Sequence, residues 1–181
     1  MGSVGNALSL RAGISGSTTM LLYIIRHAWA EERDERRYPD DGLRPLTDDG
    51  RKRFRKLVRA LADRGFVPAE IATSPLLRCR QTAEAVAEVL LSRPRVTVVD
   101  ELSPGSDLHA LLDWTRQRTP GDVAWVGHAP DVSHLTASLI GDALTAIHFG
   151  KGAVAAVEFD RPPAAGQGEL QWLATAKMLG I

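Results

Sequence analysis

Apolar and polar positions follow two rhythms along this chain, and the switches between them outline a series of strands and helices. Residues 21 to 26 (LLYIIR) are an unbroken apolar run closed by a cation, the pattern of a strand buried on both faces. Phe54, Leu57, Val58 and Leu61 then recur at helical spacing behind Thr47, a candidate N-cap, and Gly65 and Pro68 close this helix. AEIATS (69–74) predicts a short strand. Ser74-Pro75 predicts the start of a second helix, with a capping hydroxyl followed by Pro at the first helical position, running to about Leu91. VTVVD (96–100) predicts a third strand, Asp107 a cap for a helix through Trp114, and DVAWVG (122–127) a fourth strand. A helix over 131–140 and two late strands, around GAVAAVEFD (152–160) and ELQWLA (169–174), complete the series.

Strands alternating with helices imply an α/β fold, a three-layer sandwich whose central sheet is mostly parallel and covered by helices on both faces. At 181 residues, 44% hydrophobic and 24% charged, the chain has the material for one core. It shows no internal repeat and no domain linker, and RPPAAGQG (161–168) reads as a turn-forming connection. Residues 20–181 are therefore expected to form the domain. Residues 1–19, rich in Gly, Ser and Thr and without an apolar run long enough for a signal-peptide core or a membrane span, are expected to be a flexible extension.

Charge narrows the choice of partner. Twenty-two basic residues balance twenty-two acidic ones, so the overall field gives no reason to expect binding to nucleic acid or to a membrane. The single cysteine, Cys79, rules out an intrachain disulfide and agrees with a reducing compartment, so a cytoplasmic location is expected.

In an open α/β sheet ligands bind beyond the carboxyl ends of the parallel strands, where short loops and helix N-termini converge. Three strands end there in unusual chemistry: the first in Arg26-His27, the second in Ser74-Pro75 with Arg78 in the following turn, and the fourth in Gly127-His128. Two imidazoles and two guanidiniums at one edge, beside a helix N-terminus, form a site for an anion, and a tetrahedral phosphoryl group has oxygens enough to engage them all. Neutral imidazole is also a competent nucleophile near pH 7. His27 is assigned as the nucleophile with Arg26 on the equatorial oxygens, and His128, Arg78 and Arg44 are assigned to charge stabilisation.

LYIIRHAWA, RPLTDDG, IATSPLLRCRQTA and VGHAPDV resemble the motifs of the histidine phosphatase superfamily, whose fold is phosphoglycerate-mutase-like. The likeness covers nearly everything from Leu21 onward, and the order Arg-His, Ser-Pro-x-x-Arg, second His is more specific than any one motif. The short form, with RPLT, ELSPGSD and no large insertion, most resembles SixA-type phosphohistidine phosphatases. That resemblance implies that Arg26, His27, Arg78 and His128 are the catalytic core and that Arg44 binds phosphate. It has one departure: members commonly carry Gly after the nucleophilic His, and here stands Ala28. If that position needs a positive φ, Ala is strained; otherwise its carbonyl can accept a hydrogen bond from His27 Nδ1.

The segment between Arg80 and His128 is too short to hold a cap domain, so the site is expected to be shallow and open. That favours a phosphorylated side chain on a partner protein over a small enclosed substrate, and a hydrolase over a mutase, which must keep water from its intermediate. A phosphohistidine-containing protein is the expected partner, with phosphate or sulfate as the ion the site would take; a phosphomonoesterase acting on small metabolites is the alternative. Glu101 is the candidate acid, set against an ordinary solvated loop carboxylate.

Each residue also has a bland reading. A lone His27 or His128 is more often a satisfied core or loop histidine, and Arg44 has many ordinary loop partners. Cys79, between basic residues, is a candidate for a lowered pKa or simply a small buried helical side chain. Ala85, where an arginine would be needed, excludes a cysteine-phosphatase loop. His109, His134 and His148 lack metal-ligand spacing, so neither metal nor other cofactor is expected. RKRFRKLVR (51–59) offers a different class, a non-catalytic nucleic-acid or phosphate-ligand binding module, against the solvated face of an amphipathic helix balanced by the acidic stretch from Glu31 to Asp41.

Overall fold

Leu22 to Ile25 are completely buried and belong to the strand β1 (Met20–Arg26), which lies inside a six-stranded sheet. The computed structural model describes residues 19–118 and 121–181. The expected extension over 1–19 falls outside them except for Thr19. The sheet order is β3 (Arg95–Val98), β2 (Glu70–Thr73), β4 (Val123–Gly127), β1, β5 (Val154–Phe159), β6 (Glu169–Ala174). The first four of these are parallel neighbours, β5 runs antiparallel to β1, and β6 antiparallel to β5.

Alternation within β1 divides the core. Tyr23 and Ile25 pack with Phe54, Leu57 and Leu61 of α1 (Asp48–Ala62) and with Cys79, Ala83 and Val86 of α2 (Leu77–Val89). Leu22 and Ile24 pack with Leu111 and Leu112 of α3 (Leu108–Arg116) and with Leu135 and Leu139 of α4 (Asp131–Ile140). Successive strand side chains point to opposite faces, so two apolar layers form and the sandwich has three. Full burial of one such aliphatic side chain contributes about 1.5–3 kcal/mol. Between α2 and β4 the described residues form β3, a 3-10 turn at Asp100–Leu102 and α3, and among them no further domain lies over the strand ends.

The capping expectations divide. Thr47 Oγ1 accepts from Gly50 N at 2.9 Å and Asp107 from Ala110 N at 3.1 Å, as the sequence implies. Ser74 does not cap α2. That helix begins at Leu77 behind an extended Leu76, which makes no side-chain cap bond, and Ser74 Oγ lies 3.4 Å from Leu76 N. The fully buried Ser74 hydroxyl meets His128 instead, and a close polar partner takes it away from the helix end. Boundaries shift elsewhere: α2 stops at Val89, α3 continues to Arg116, and β3 covers Arg95–Val98 because Asp100 enters the 3-10 turn.

The basic stretch 51–59 lies on α1 with Phe54, Leu57 and Val58 buried. Its Arg53 guanidinium stacks 4.3 Å from the Trp29 ring, and Arg55 pairs with Glu88 of α2, so part of this charge fastens the helix to its surroundings.

Candidate active site

His27 follows β1 directly and is held by its backbone on both sides. Its N–H donates to Gly127 O of β4 at 3.0 Å, and its C=O accepts from Gly152 N at 3.1 Å. Gly152 has φ +71, and a Cβ there would press on Phe54 and Trp29 at 3.1 Å, so only glycine suits this close approach. His128 leaves β4 one strand away. Because β1 and β4 are parallel and paired in register, Arg26 opposite Gly127, the next residue of each strand is an imidazole. The two rings lie 5.5 Å apart at 58°.

The tautomer of His27 follows from its partner. Nδ1 is 2.8 Å from the carbonyl oxygen of Ala28, which can only accept, so Nδ1 carries the proton and Nε2 carries the lone pair. Ala28 has no left-handed conformation; among the described non-glycine residues only Arg93 has positive φ. Its N–H donates to Thr82 Oγ1 at 3.0 Å. Alanine is therefore unstrained there, and its carbonyl is free to orient the imidazole.

Burial keeps both rings uncharged. His27 is 8% and His128 5% exposed. Desolvation pushes the His27 imidazole down to about 3; the Ala28 hydrogen bond opposes this, while Arg78, His128 and Arg26 add to it. Desolvation likewise lowers His128 to about 4, with Arg78 acting in the same direction and Asp41 against it. Two neutral imidazoles beside cationic guanidiniums leave a field that favours an incoming anion.

Those guanidiniums are partly occupied. Arg26 Nη1 donates to Phe149 O at 2.7 Å, and Arg78 Nη1 to Asp41 O at 2.9 Å. Among the described residues, the buried Nε atoms of Arg26 and Arg78 have no hydrogen-bond partner. A buried donor left unpaired costs about 1–3 kcal/mol, more for a charged group, which an anion at this spot would recover. Arg44 is drawn to the same cluster through Asp41, whose Oδ1 accepts from Arg44 Nε at 2.8 Å, and Arg44 Nη1 also donates to Glu31 O at 2.8 Å.

Sequence reasoning passed over three contributors. Asp41 lies three positions before Arg44 and bridges it to Arg78; a tight acidic-to-basic spacing in DGLR was the available signal. Ser74 Oγ is 2.8 Å from His128 Nε2, a role hidden behind its apparent cap position. Thr82 supports the backbone of Ala28 and carried no signal at all. Glu101 occupies the exposed 3-10 turn whose Leu102 packs under Gly127, which puts the turn beside the His128 strand end.

Of the two readings of Cys79, the small buried helical side chain is the one the structure bears out. It is fully buried, donates weakly to Gly127 O at 3.6 Å, and burial raises its pKa to about 12, outweighing the opposing influence of Arg78. Among the described residues no group of three or more His, Cys, Asp or Glu side chains is placed to hold a metal ion. No described helix is long and apolar enough to cross a membrane.

The comparisons agree with this geometry. The family model of the histidine phosphatase superfamily (branch 1) matches residues 22–103. An uncharacterized protein of Picosynechococcus sp. is 37% identical over 135 residues, 73% of this chain and 75% of its own length. Phosphohistidine phosphatase SixA of Escherichia coli is 30% identical over 156 residues, 84% of this chain and 92% of that one. A solved structure of the protein histidine phosphatase SixA complexed with tungstate superimposes with a TM-score of 0.76 at 28% identity, covering 88% of this chain and 99% of that one. With 30% identity to SixA over 84% of its own length and a match to the family model across residues 22–103, the chain belongs to the histidine phosphatase superfamily, in the SixA-type branch.

Proposed function

We propose that this phosphatase hydrolyses phosphohistidine on a partner protein, through a covalent intermediate on His27 and without a metal. The observation that carries the reading is the pairing of His27, whose Nε2 bears the lone pair, with two buried Arg Nε donors that have no partner. In the first step Nε2 attacks phosphorus in line while the P–N bond to the substrate histidine breaks. A substrate imidazole protonated on its other nitrogen departs neutral, so no strong acid is required. The Nδ1–H bond to Ala28 O stabilises the positive charge that phosphorylation places on the His27 ring. Water then attacks the phosphoryl group, both its protons stay with the released phosphate, and His27 returns neutral.

Arg26, Arg78, Arg44 and His128 hold the phosphoryl oxygens in this scheme. The guanidiniums supply the positive charge that a metal would otherwise bring, and their cluster repels a cation. A protein substrate fits the absence of a cap between α2 and β4 and the open groove lined by Pro130, Ser133, His134, Leu144, Ile147 and His148, next to His128 in the chain. The location that suits such a partner is the cytoplasm.

Brief reaction with radiolabelled phosphohistidine protein is expected to leave acid-labile, base-stable label on the enzyme, absent from His27→Ala, whose turnover falls by roughly 10⁴-fold or more. Label persisting in His27→Ala would overturn the assigned nucleophile. A second reading, hydrolysis of small phosphomonoesters, draws on Glu101 at the neighbouring turn as an acid for alkoxide leaving groups. Turnover of sugar phosphates exceeding that of the phosphorylated protein would select it.

A further inference from the structure

Asp41 is an acid in a site otherwise arranged for an anion. Its Oδ1 accepts from Arg44 Nε at 2.8 Å, its Oδ2 lies 3.1 Å from Arg78 Nη1, and that same Nη1 donates to its backbone carbonyl. Its neighbours in the acidic segment are engaged elsewhere. Asp40 Oδ1 accepts from Gly42 N at 2.8 Å and caps the local 3-10 turn, while Glu31 pairs with Arg37.

A carboxylate here weakens attraction for a phosphoryl group, so its hold on two arginines calls for a physical reason. Arg44 and Arg78 repel one another, and a single carboxylate between them keeps both in place. It also sets the charge. Arg26, Arg44 and Arg78 bring three positive charges, Asp41 removes one, and His27 and His128 are neutral. The remaining two match a phosphoryl dianion.

We propose that Asp41 is a positioning and charge-setting residue of the phosphoryl site, aligning Arg78 with Arg44 and holding the site at a charge from which product phosphate can leave. The proposal rests on the reading of this cluster as a phosphoryl site. Three unopposed guanidiniums would retain phosphate; the carboxylate trades some affinity for release.

Calorimetric titration of inorganic phosphate into the wild type, Asp41→Asn, Asp41→Glu and Asp40→Asn, at one ionic strength, tests it together with steady-state turnover of a phosphorylated histidine protein. Asp41→Asn keeps an acceptor of the same size and removes the charge. It is expected to bind phosphate about tenfold more tightly and to lower kcat and KM together. Asp41→Glu returns both toward the wild type, and Asp40→Asn stays within about twofold of it. Asp41→Ser is also expected to tighten phosphate and serves if the Asn variant does not fold. Unchanged or weaker phosphate binding in a folded variant without the Asp41 charge overturns the proposal, as does equal tightening in Asp40→Asn. Phosphate binding is read without turnover, so failure to hydrolyse phosphohistidine counts against the functional reading and leaves the Asp41 result standing.

Discussion

The imidazoles of His27 and His128 face each other at 5.5 Å because the strands that deliver them are hydrogen-bonded neighbours in parallel register. Among the described residues no carboxylate bonds directly to either ring; their nearest polar partners are the Ala28 carbonyl and the Ser74 hydroxyl. On the proposed function the neutral His27 is the nucleophile and the neutral His128 a partner of the phosphoryl oxygens.

This neutrality predicts an acid-sensitive fold. The unfolded histidines take up protons near pH 6.5, whereas the folded ones resist until about 4 for His128 and about 3 for His27. Between those limits the unfolded state binds more protons, so stability is full above about pH 6.5 and is lost as pH falls, by a few kcal/mol on reaching pH 4. Urea unfolding from pH 7 to 4.5 measures the slope, and the His27 and His128 imidazole resonances should not titrate between pH 5 and 8. Saturating phosphate should flatten the slope, since an anion stabilises the imidazolium forms.

Ser74→Ala removes the hydroxyl 2.8 Å from His128 Nε2 and leaves α2, which it does not cap, intact. Loss of a buried hydrogen bond costs about 1 kcal/mol of stability. On the proposed function, in which His128 holds a phosphoryl oxygen, turnover should drop by about tenfold with KM nearly unchanged, because the ring loses its orientation. An equal loss from Ser74→Thr, which restores a hydroxyl, would show that packing rather than the hydrogen bond matters.

Ala28→Gly installs the residue usual in this family. The position is buried and takes no left-handed conformation, so glycine brings only extra freedom to the unfolded chain and a lost methyl group. A destabilisation of about 1 kcal/mol is expected, with turnover within about twofold of the wild type. Thermal melting and steady-state rates on the same samples separate the two effects.

Glu101→Gln distinguishes leaving groups. An alkoxide needs a proton more than an imidazole does, so hydrolysis of an alkyl phosphate should fall by about tenfold or more while that of phosphohistidine stays nearly constant. Equal effects on both substrates would make Glu101 an ordinary loop carboxylate.

The amino-acid order alone carried the layers of this fold and the meeting of Arg26, His27, Arg78 and His128, because both follow from short-range rules. Apolar periodicity sorts strands from helices, and the carboxyl ends of adjacent parallel strands share one edge, so reactive residues placed there come together. Choice of hydrogen-bond partner is different, since it is a competition among groups distant in sequence. Ser74 looked like a cap until His128 came within 2.8 Å, and the choice between a thiolate and a buried helical side chain at Cys79 was decided only by the core closing over it. The hold of Asp41 on Arg78, across 37 positions of chain, likewise exists only once the 3-10 turn at Asp41–Leu43 and helix α2 are packed together. Burial and distance decide such contests, and both are properties of the packed molecule.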